Sequence, residues 1–209
     1  MKKISVIDYG MSNLHSVLKS FQKVIDKKYS LSIAKTIKDL EDASIIILPG
    51  QGAANSCMDR LNSKFPGLDK FIINRPFFGI CLGFQILFNE SSEDGGVKCF
   101  SIIDGTVTDF KNTINRKLKI PHMGWNIVNQ NRSHPIWKNI SNKSFFYFVH
   151  SYYAQATKLS NELSTTDYGI NFTSSVIKDN IFACQYHPEK SSSNGLQLLS
   201  NFITYSEGI

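Results

Sequence analysis

The run Ser44–Leu48 (S-I-I-I-L) carries aliphatic side chains on both parities of an extended chain. A strand of that kind has no polar face to offer water. It must be covered on both sides, as happens inside a parallel sheet flanked by helices. The segments around it fit that setting. Lys3–Asp8 is a short apolar run that stops at Asp8-Tyr9-Gly10, a strand running into a tight turn. Leu14, Val17, Leu18, Phe21, Val24 and Ile25 then recur at helical spacing, which predicts an amphipathic helix of about four turns. Tyr29–Ile33 and Pro76–Ile80 read as further strands. Helices are predicted from about Ala53 to Leu61 and from Leu82 to about Asn89. The alternation predicts an α/β fold with a doubly wound, mostly parallel central sheet flanked by helices.

The middle of the chain changes character. Ile102–Phe110, Trp125–Asn129, Phe145–Tyr153 and Thr173–Lys178 are strand-like with short polar connections, and predict antiparallel strands added to the sheet. Asn180–Tyr186 returns to a buried strand. Ser191–Tyr205 closes the chain as a helix, with Leu196, Leu199, Phe202 and Ile203 on one face. No repeat or linker interrupts the pattern, and 209 residues suffice for one substantial core, so a single domain over residues 1–209 is expected.

The formal charge of +6 raises the question of nucleic acid. The lysines are scattered, however, with no basic stripe interleaved with aromatics, so a solvated surface is expected. The four cysteines, Cys57, Cys81, Cys99 and Cys184, form no C-x-x-C pair, and no signal peptide or membrane-length apolar run is found. Reduced thiols and a cytoplasmic location are expected. No histidine–cysteine grouping has the spacing of a zinc site, so no metal and no cofactor are expected.

The chemistry is concentrated in Phe78–Gln85 (F-G-I-C-L-G-F-Q), a strand, then G-x-C-x-G, then a helix. This is the thiol form of a nucleophile elbow. The central residue sits on a strained strand-to-helix turn, and its neighbours need almost no side chain for the backbone to pass. The helix start beside Cys81 favours thiolate over thiol. The other three cysteines read as small buried fillers.

A thiolate nucleophile needs a partner that later gives a proton to the leaving amine. Among His15, His122, His134, His150 and His187, the last ends an apolar strand and precedes Pro188-Glu189. Residues i and i+2 of an extended chain point the same way, so Glu189 can hold the imidazole's tautomer. His150, inside a strand, is the rival, with a structural or substrate-lining role expected. The tetrahedral oxyanion needs backbone N–H donors. Leu82, next to the nucleophile, supplies one, and the glycine-rich Gly50-Gln51-Gly52 turn is expected to supply the other. It is not a phosphate loop, because the Lys-Ser/Thr ending is absent.

Gly79–Gln85 together with Gln185–Lys190 (Q-Y-H-P-E-K) resembles the class I, triad-type glutamine amidotransferases. Asp8–Gly10, Leu48–Gly50, Pro121–Asn126 and Tyr147–Tyr152 narrow the resemblance to the glutaminase subunits of imidazole glycerol phosphate synthases. It runs nearly end to end. It implies a triad of Cys81, His187 and Glu189, with Gln85, Glu93, Ser151 and Tyr152 binding L-glutamine. Asn13, Pro121, His122, Met123, Gly124, Trp125, Asn126, Tyr147 and Lys190 would face a (β/α)8-barrel synthase subunit in a heterodimer. That partner would use the ammonia to make imidazole glycerol phosphate and AICAR in histidine biosynthesis. Two departures stand out: Gln51, where the family has a small apolar residue, and Ser12, where a glycine is more usual.

Three other readings compete. The same glutaminase could feed a related barrel that aminates sugars for surface polysaccharides. A regulatory subunit could carry an inactive glutaminase scaffold, which the intact triad argues against. A free-standing amidase or peptidase would need no partner, whereas Trp125 beside a glycine looks like an interface anchor, with a core tryptophan as its ordinary alternative.

Overall fold

The computed structural model describes residues 1–11, 13–113 and 118–208, so Ser12 lies outside the described residues. Five parallel strands form one side of the sheet, with the second strand at its edge. They are β1 (Lys2–Ile7), β2 (Tyr29–Ala34), β3 (Ile45–Gly50), β4 (Phe77–Cys81) and the late strand Ile181–Cys184, and they lie in the order β2, β1, β3, β4, Ile181–Cys184. The aliphatic run at 45–48 is buried at every position, as its double-sided pattern requires.

Each face has its own apolar core. On one side α1 (Leu14–Gln22) and the C-terminal helix Ser192–Tyr205 bring Val17, Phe21, Leu198 and Phe202 against Ile4, Ile45, Phe78 and Phe182. On the other, α2 (Ala54–Lys64) and α3 (Leu68–Asn74) bring Met58, Leu61, Leu68 and Ile72 against Ile46, Leu48 and Phe77. No helix among the described residues is long and apolar enough to cross a membrane.

Several elements differ from expectation, among them α3, an unexpected helix, and the strand expected over Ile102–Phe110, which covers only Gly105–Asp109. The first helix ends at Gln22, and Val24 and Ile25 pack on the core from the turn beyond it. The helix after Cys81, α4 (Leu82–Gln85), is one turn long instead of reaching Asn89. It does not continue because the carbonyls that would extend it are claimed by another segment: Phe100 N–H donates to Ile86 O, Ile102 N–H to Leu87 O and Ser101 N–H to Phe88 O, each at 2.9 Å. The chain then forms the short strands β5 (Glu90–Ser91) and β6 (Val97–Lys98).

The expected single strand Phe145–Tyr153 is two. After β7 (Gly105–Asp109) and β8 (His122–Gln130), β9 (Ser144–His150) pairs with β8, while β10 (Tyr152–Ala156) pairs with β7. The chain changes partner at Ser151, which an unbroken apolar run cannot announce. A further difference is a strand with no apolar alternation. β11 (Glu162–Asp167) lies beside β12 (Asn171–Lys178) with Ser164 and Thr166 buried. Ser164 Oγ meets Ser174 Oγ at 2.9 Å and Ser175 Oγ at 2.5 Å, so hydroxyl pairs replace hydrocarbon there. Ile181–Cys184 is β13, antiparallel to β12, and the C-terminal helix is α5.

The backbone is tightly packed at the β4–α4 turn. A methyl group on Gly83 would overlap the Leu48 carbonyl oxygen of β3, and one on Gly79 would overlap the Gly83 carbonyl. Replacing Gly83 with Ala is therefore expected to cost about 1–3 kcal/mol of stability or more. Urea unfolding measures this; a midpoint equal to that of the unaltered chain would show that the strand and the turn are not in contact.

Candidate active site

β4 carries Cys81 to the carboxyl edge of the sheet, where open α/β sheets place their ligands. Cys81 has φ 55° and ψ −106°, a conformation that L-residues seldom adopt and that costs on the order of 1–3 kcal/mol. The close contact of Gly83 with Leu48 O holds it there. Because α4 is only one turn, its influence at Cys81 comes from the N–H groups of the first turn, led by Leu82, rather than from a long aligned dipole. The Cys81 side chain lines a cleft of about 330 Å³, shared with Gln51, Gly52, Leu82, Gln85, Glu93, Ser151, Tyr152 and His187.

His187 follows β13, and β13 is paired with β4 through Cys184↔Ile80. Its backbone is tied on both sides: its N–H donates to Tyr147 O at 2.8 Å, and its carbonyl accepts from Ser191 Oγ at 2.6 Å. The ring Nδ1 lies 2.7 Å from Glu189 Oε1, and both side chains are nearly buried. Glu189 gets there by a single 3₁₀ turn, Pro188–Lys190, not by continued strand alternation. The other ring nitrogen, Nε2, has no hydrogen-bond partner. Burial by itself drives the imidazole toward neutrality. The neighbouring Cys81 sulfur and the hydrogen bond to Glu189 outweigh it, and the value is pushed up to about 10. The favoured state of the site is therefore an imidazolium beside the sulfur.

Gln85, Glu93, Ser151 and Tyr152, expected to hold substrate, line the same cleft. Gln85 Nε2 donates to Tyr152 O at 2.9 Å and to Gln185 Oε1 at 2.8 Å. Glu93 Oε2 accepts from the Ala54 N–H at 2.7 Å, at the start of α2, and burial raises its carboxyl above the ordinary value. The Gly50-Gln51-Gly52 turn, expected to serve an oxyanion, is differently engaged. Gly50 is buried as the last residue of β3, packed within reach of Tyr9 and Leu82. The Gln51 N–H, expected to face the oxyanion, donates instead to Met11 O at 3.2 Å. Leu82 lines the cleft as expected.

His150 lines the cleft without joining the Cys81–His187 pair. Its Nδ1 donates to Tyr152 O at 2.7 Å, and its Nε2 faces His122 Nδ1 at 2.9 Å. His122, expected on the outer surface, is only 3% exposed. The parity of β8 turns it inward against Phe110, Phe148 and Tyr168. The opposite parity faces out: Met123 is 61% exposed and Trp125 is 51% exposed. Trp125 packs edge-on to Tyr147, over whose ring Lys190 Nζ sits at 5.8 Å. Pro121 and Asn13 are exposed nearby, Gly124 and Asn126 half-buried. Phe145, two positions from Tyr147 on the same face, is also exposed and was not singled out by the sequence.

Residues 5–205 match the glutamine amidotransferase class-I family. The chain is 42% identical over 207 residues to the imidazole glycerol phosphate synthase subunit HisH of Hydrogenovibrio crunogenus, covering 98% of this chain and 97% of the relative. It is 43% identical over 215 residues to that of Nitrosomonas europaea, covering 99% and 100%. Among solved structures, PurLQS from Thermotoga maritima superposes with a TM-score of 0.70 at 16% identity, covering 98% of each chain. The glutaminase domain of Trypanosoma brucei CTPS with bound acivicin superposes with a TM-score of 0.67 at 17% identity, covering 100% of this chain and 94% of that one. These two likenesses are of fold.

The raised His187 value has a thermodynamic consequence. A group whose value rises on folding contributes stability fully below its unfolded value of 6.5, and loses that contribution as pH climbs to about 10. Replacing Glu189 with Gln removes part of the rise. The stability gap between the two proteins is expected to be widest near pH 6 and to close toward pH 10. Denaturant unfolding across that range checks it, and a gap that widened with pH would contradict the ion pair.

Proposed function

Since the chain belongs to the class-I glutamine amidotransferases, we propose that Cys81 is its nucleophile, His187 its proton carrier and Glu189 the group that orients His187. The enzyme is a glutamine amidotransferase, the glutaminase subunit of an imidazole glycerol phosphate synthase in histidine biosynthesis. The observation that carries the residue assignment is the double character of His187. One ring nitrogen is held by Glu189, while the other is unpartnered in a ring that shares the cleft with Cys81.

The reaction follows from that arrangement. The Cys81 thiolate adds to the carboxamide carbon of L-glutamine, and the carbonyl oxygen gathers negative charge facing Leu82 N–H. As the C–N bond breaks, the His187 imidazolium gives its proton to the departing nitrogen, and ammonia leaves. A glutamyl thioester remains on Cys81. His187, now neutral, takes a proton from water as that water attacks the thioester, and glutamate departs as the C–S bond breaks. Gln85, Glu93, Ser151 and Tyr152 hold the amino acid, with Glu93 nearest in chemistry to an ammonium group.

The ammonia goes to a synthase partner, which we assign as a (β/α)8-barrel subunit forming a heterodimer in the cytoplasm. The docking face comprises Met123, Trp125, Tyr147 and Lys190, with Pro121, Gly124, Asn126 and Asn13 around them. Its two large exposed apolar side chains favour a partnered subunit over a free-standing amidase. Similarity along the whole length to histidine-pathway relatives favours that pathway over sugar amination. With the Gln51 N–H occupied by Met11 O, low activity alone and activation by the partner are expected.

Cys81→Ser is expected to lower glutamate release by roughly a thousandfold or more in the presence of the partner; near-normal turnover would refute the assignment. Trp125→Ala is expected to weaken the heterodimer by about 2 kcal/mol. Titration calorimetry reads this directly, and an unchanged affinity would remove Trp125 from the interface.

A further inference from the structure

Gln185 is fully buried, two residues before His187, and the mechanism above gives it no part. Its position is set by register. Cys184 pairs with Ile80, so the next residue along β13 comes to lie beside Cys81, and strand parity turns Gln185 to the side opposite Cys184 and Tyr186. Its Nε2 lies 3.6 Å from Cys81 Sγ. Its Oε1 accepts from Gln85 Nε2 at 2.8 Å.

These two contacts fix which way round the amide stands. A side-chain amide can be reversed without changing its shape, so its orientation must be argued from its partners. Gln85 presents an NH₂ group, whose second hydrogen goes to Tyr152 O at 2.9 Å. A carbonyl can only accept, so Gln85 cannot be reversed without losing that bond. With Gln85 fixed as donor, Gln185 must turn its oxygen to Gln85 and its NH₂ to the sulfur. The Tyr152 carbonyl is itself anchored from the far side. It takes the Nδ1 hydrogen of His150 at 2.7 Å, which leaves His150 Nε2 as acceptor for His122 Nδ1. His122 Nε2 then accepts from Asn126 Nδ2 at 3.2 Å. Every bond in this chain runs in one direction and ends on Tyr152 O.

We propose that Gln185 is a further catalytic group of this enzyme: its side-chain amide, oriented by Gln85, donates a hydrogen bond to the Cys81 sulfur and favours the thiolate. This deepens the glutaminase reading and rests on Cys81 being the nucleophile. A donor held against an anion favours the charged form. Once Cys81 is acylated, its sulfur no longer carries that charge and the hydrogen bond weakens. The amide thus stabilises the attacking sulfur and also the sulfur as it leaves in thioester hydrolysis. The other titratable groups around the sulfur are His187 and Glu189 beyond β13, Tyr9 after β1 and Cys184 in β13. Burial, first among the causes, drives the Tyr9 phenol and the Cys184 thiol well above their ordinary values, so both are neutral near pH 7. Glu93 lies in the cleft wall and His150 behind it, the latter kept neutral by burial, at about 3.

The test is the pH profile of Cys81 alkylation by iodoacetamide in the full-length chain, which reads the sulfur whatever the substrate. Gln185→Met removes the donor at similar volume. It is expected to move the profile to higher pH by about one unit and so to slow alkylation by about tenfold on the rising, acid side of the profile. Gln185→Glu keeps the shape but places a carboxylate at the sulfur, and is expected to move the profile further. An unmoved profile in a variant with an unaltered thermal midpoint overturns the proposal. Should both variants fail to fold, glutamine-labelled NMR of the unaltered protein decides: a slowly exchanging side-chain amide must shift as Cys81 is alkylated, and no such shift overturns it. Loss of glutaminase activity in Cys81→Ser is a separate result, so failure of the parent reading is distinguishable.

Discussion

The contact of Gly83 with the Leu48 carbonyl is the constraint on which the rest of the site depends. A β-strand feeding directly into a helix normally spends several residues on the change of direction. Here β4 ends at Cys81 and α4 begins at Leu82, with no residue between. Such a turn is possible only if the backbone after the cysteine lies flush on the neighbouring strand, which no side chain permits. The strain at Cys81 follows from that packing, and so does the exposure of its sulfur to the cleft. The register Gly50↔Cys81 then brings the end of β3 beside the sulfur, and Cys184↔Ile80 brings Gln185 and His187 to its other side. Two strand pairings and one glycine place most of the chemistry.

The second ordering device is the polarity of hydrogen bonds. His122 and His150 would be liabilities if they took up protons, since two charged imidazoles 2.9 Å apart in the core would repel. Burial keeps them neutral, at about 4 and about 3 respectively. Neutral imidazole is both donor and acceptor, so the pair can transmit an orientation from Asn126 to the Tyr152 carbonyl without carrying charge. His187 is the contrast. It is nearly as buried, but its neighbours are a carboxylate and a sulfur, and it is driven the opposite way. The fold thus contains three buried imidazoles in two protonation states, sorted by what each one faces.

Much of this was legible in the sequence, and the exceptions share a cause. The aliphatic run at 45–48 and the strand-to-helix turn at Cys81 impose their geometry locally and are found where expected, while Glu189 meets His187 as expected but through a 3₁₀ turn instead of strand alternation. The misreadings fall where distant segments decide. The length of α4 is set by residues 100–102 taking the Ile86–Phe88 carbonyls that would extend it, and the break at Ser151 by β8 and β7 being different partners. β11 escaped because serine and threonine pairs replace the apolar alternation that betrays a strand. The placement of His122 turned on strand parity, since one residue's shift decides between core and surface. Gln185 left a usable signal. It has the same parity as His187 on a strand paired with the nucleophile's own, and a glutamine there needs a polar partner if it is buried.

The Gly50–Gly52 turn, proposed to serve the oxyanion, shows how small an energy separates the described state from one with the Gln51 N–H free. The Gln51 N–H cannot donate both to Met11 O and to a developing oxyanion. Releasing it costs one backbone hydrogen bond, a net of about 0.5–1.5 kcal/mol. The gain, an extra donor at the transition state, is worth about 3–4 kcal/mol of barrier. The exchange is therefore favourable only once the oxyanion forms or once something else holds Met11. Asn13 and Lys190 line the same small cavity as Gln51 and Glu189, next to the face assigned to the synthase. Contacts made there need offset only that one bond. On the roles proposed above, freeing this loop at the docking face would speed glutamine hydrolysis by no more than the bond's worth, about 0.5–1.5 kcal/mol or up to roughly tenfold, without any rearrangement of the triad.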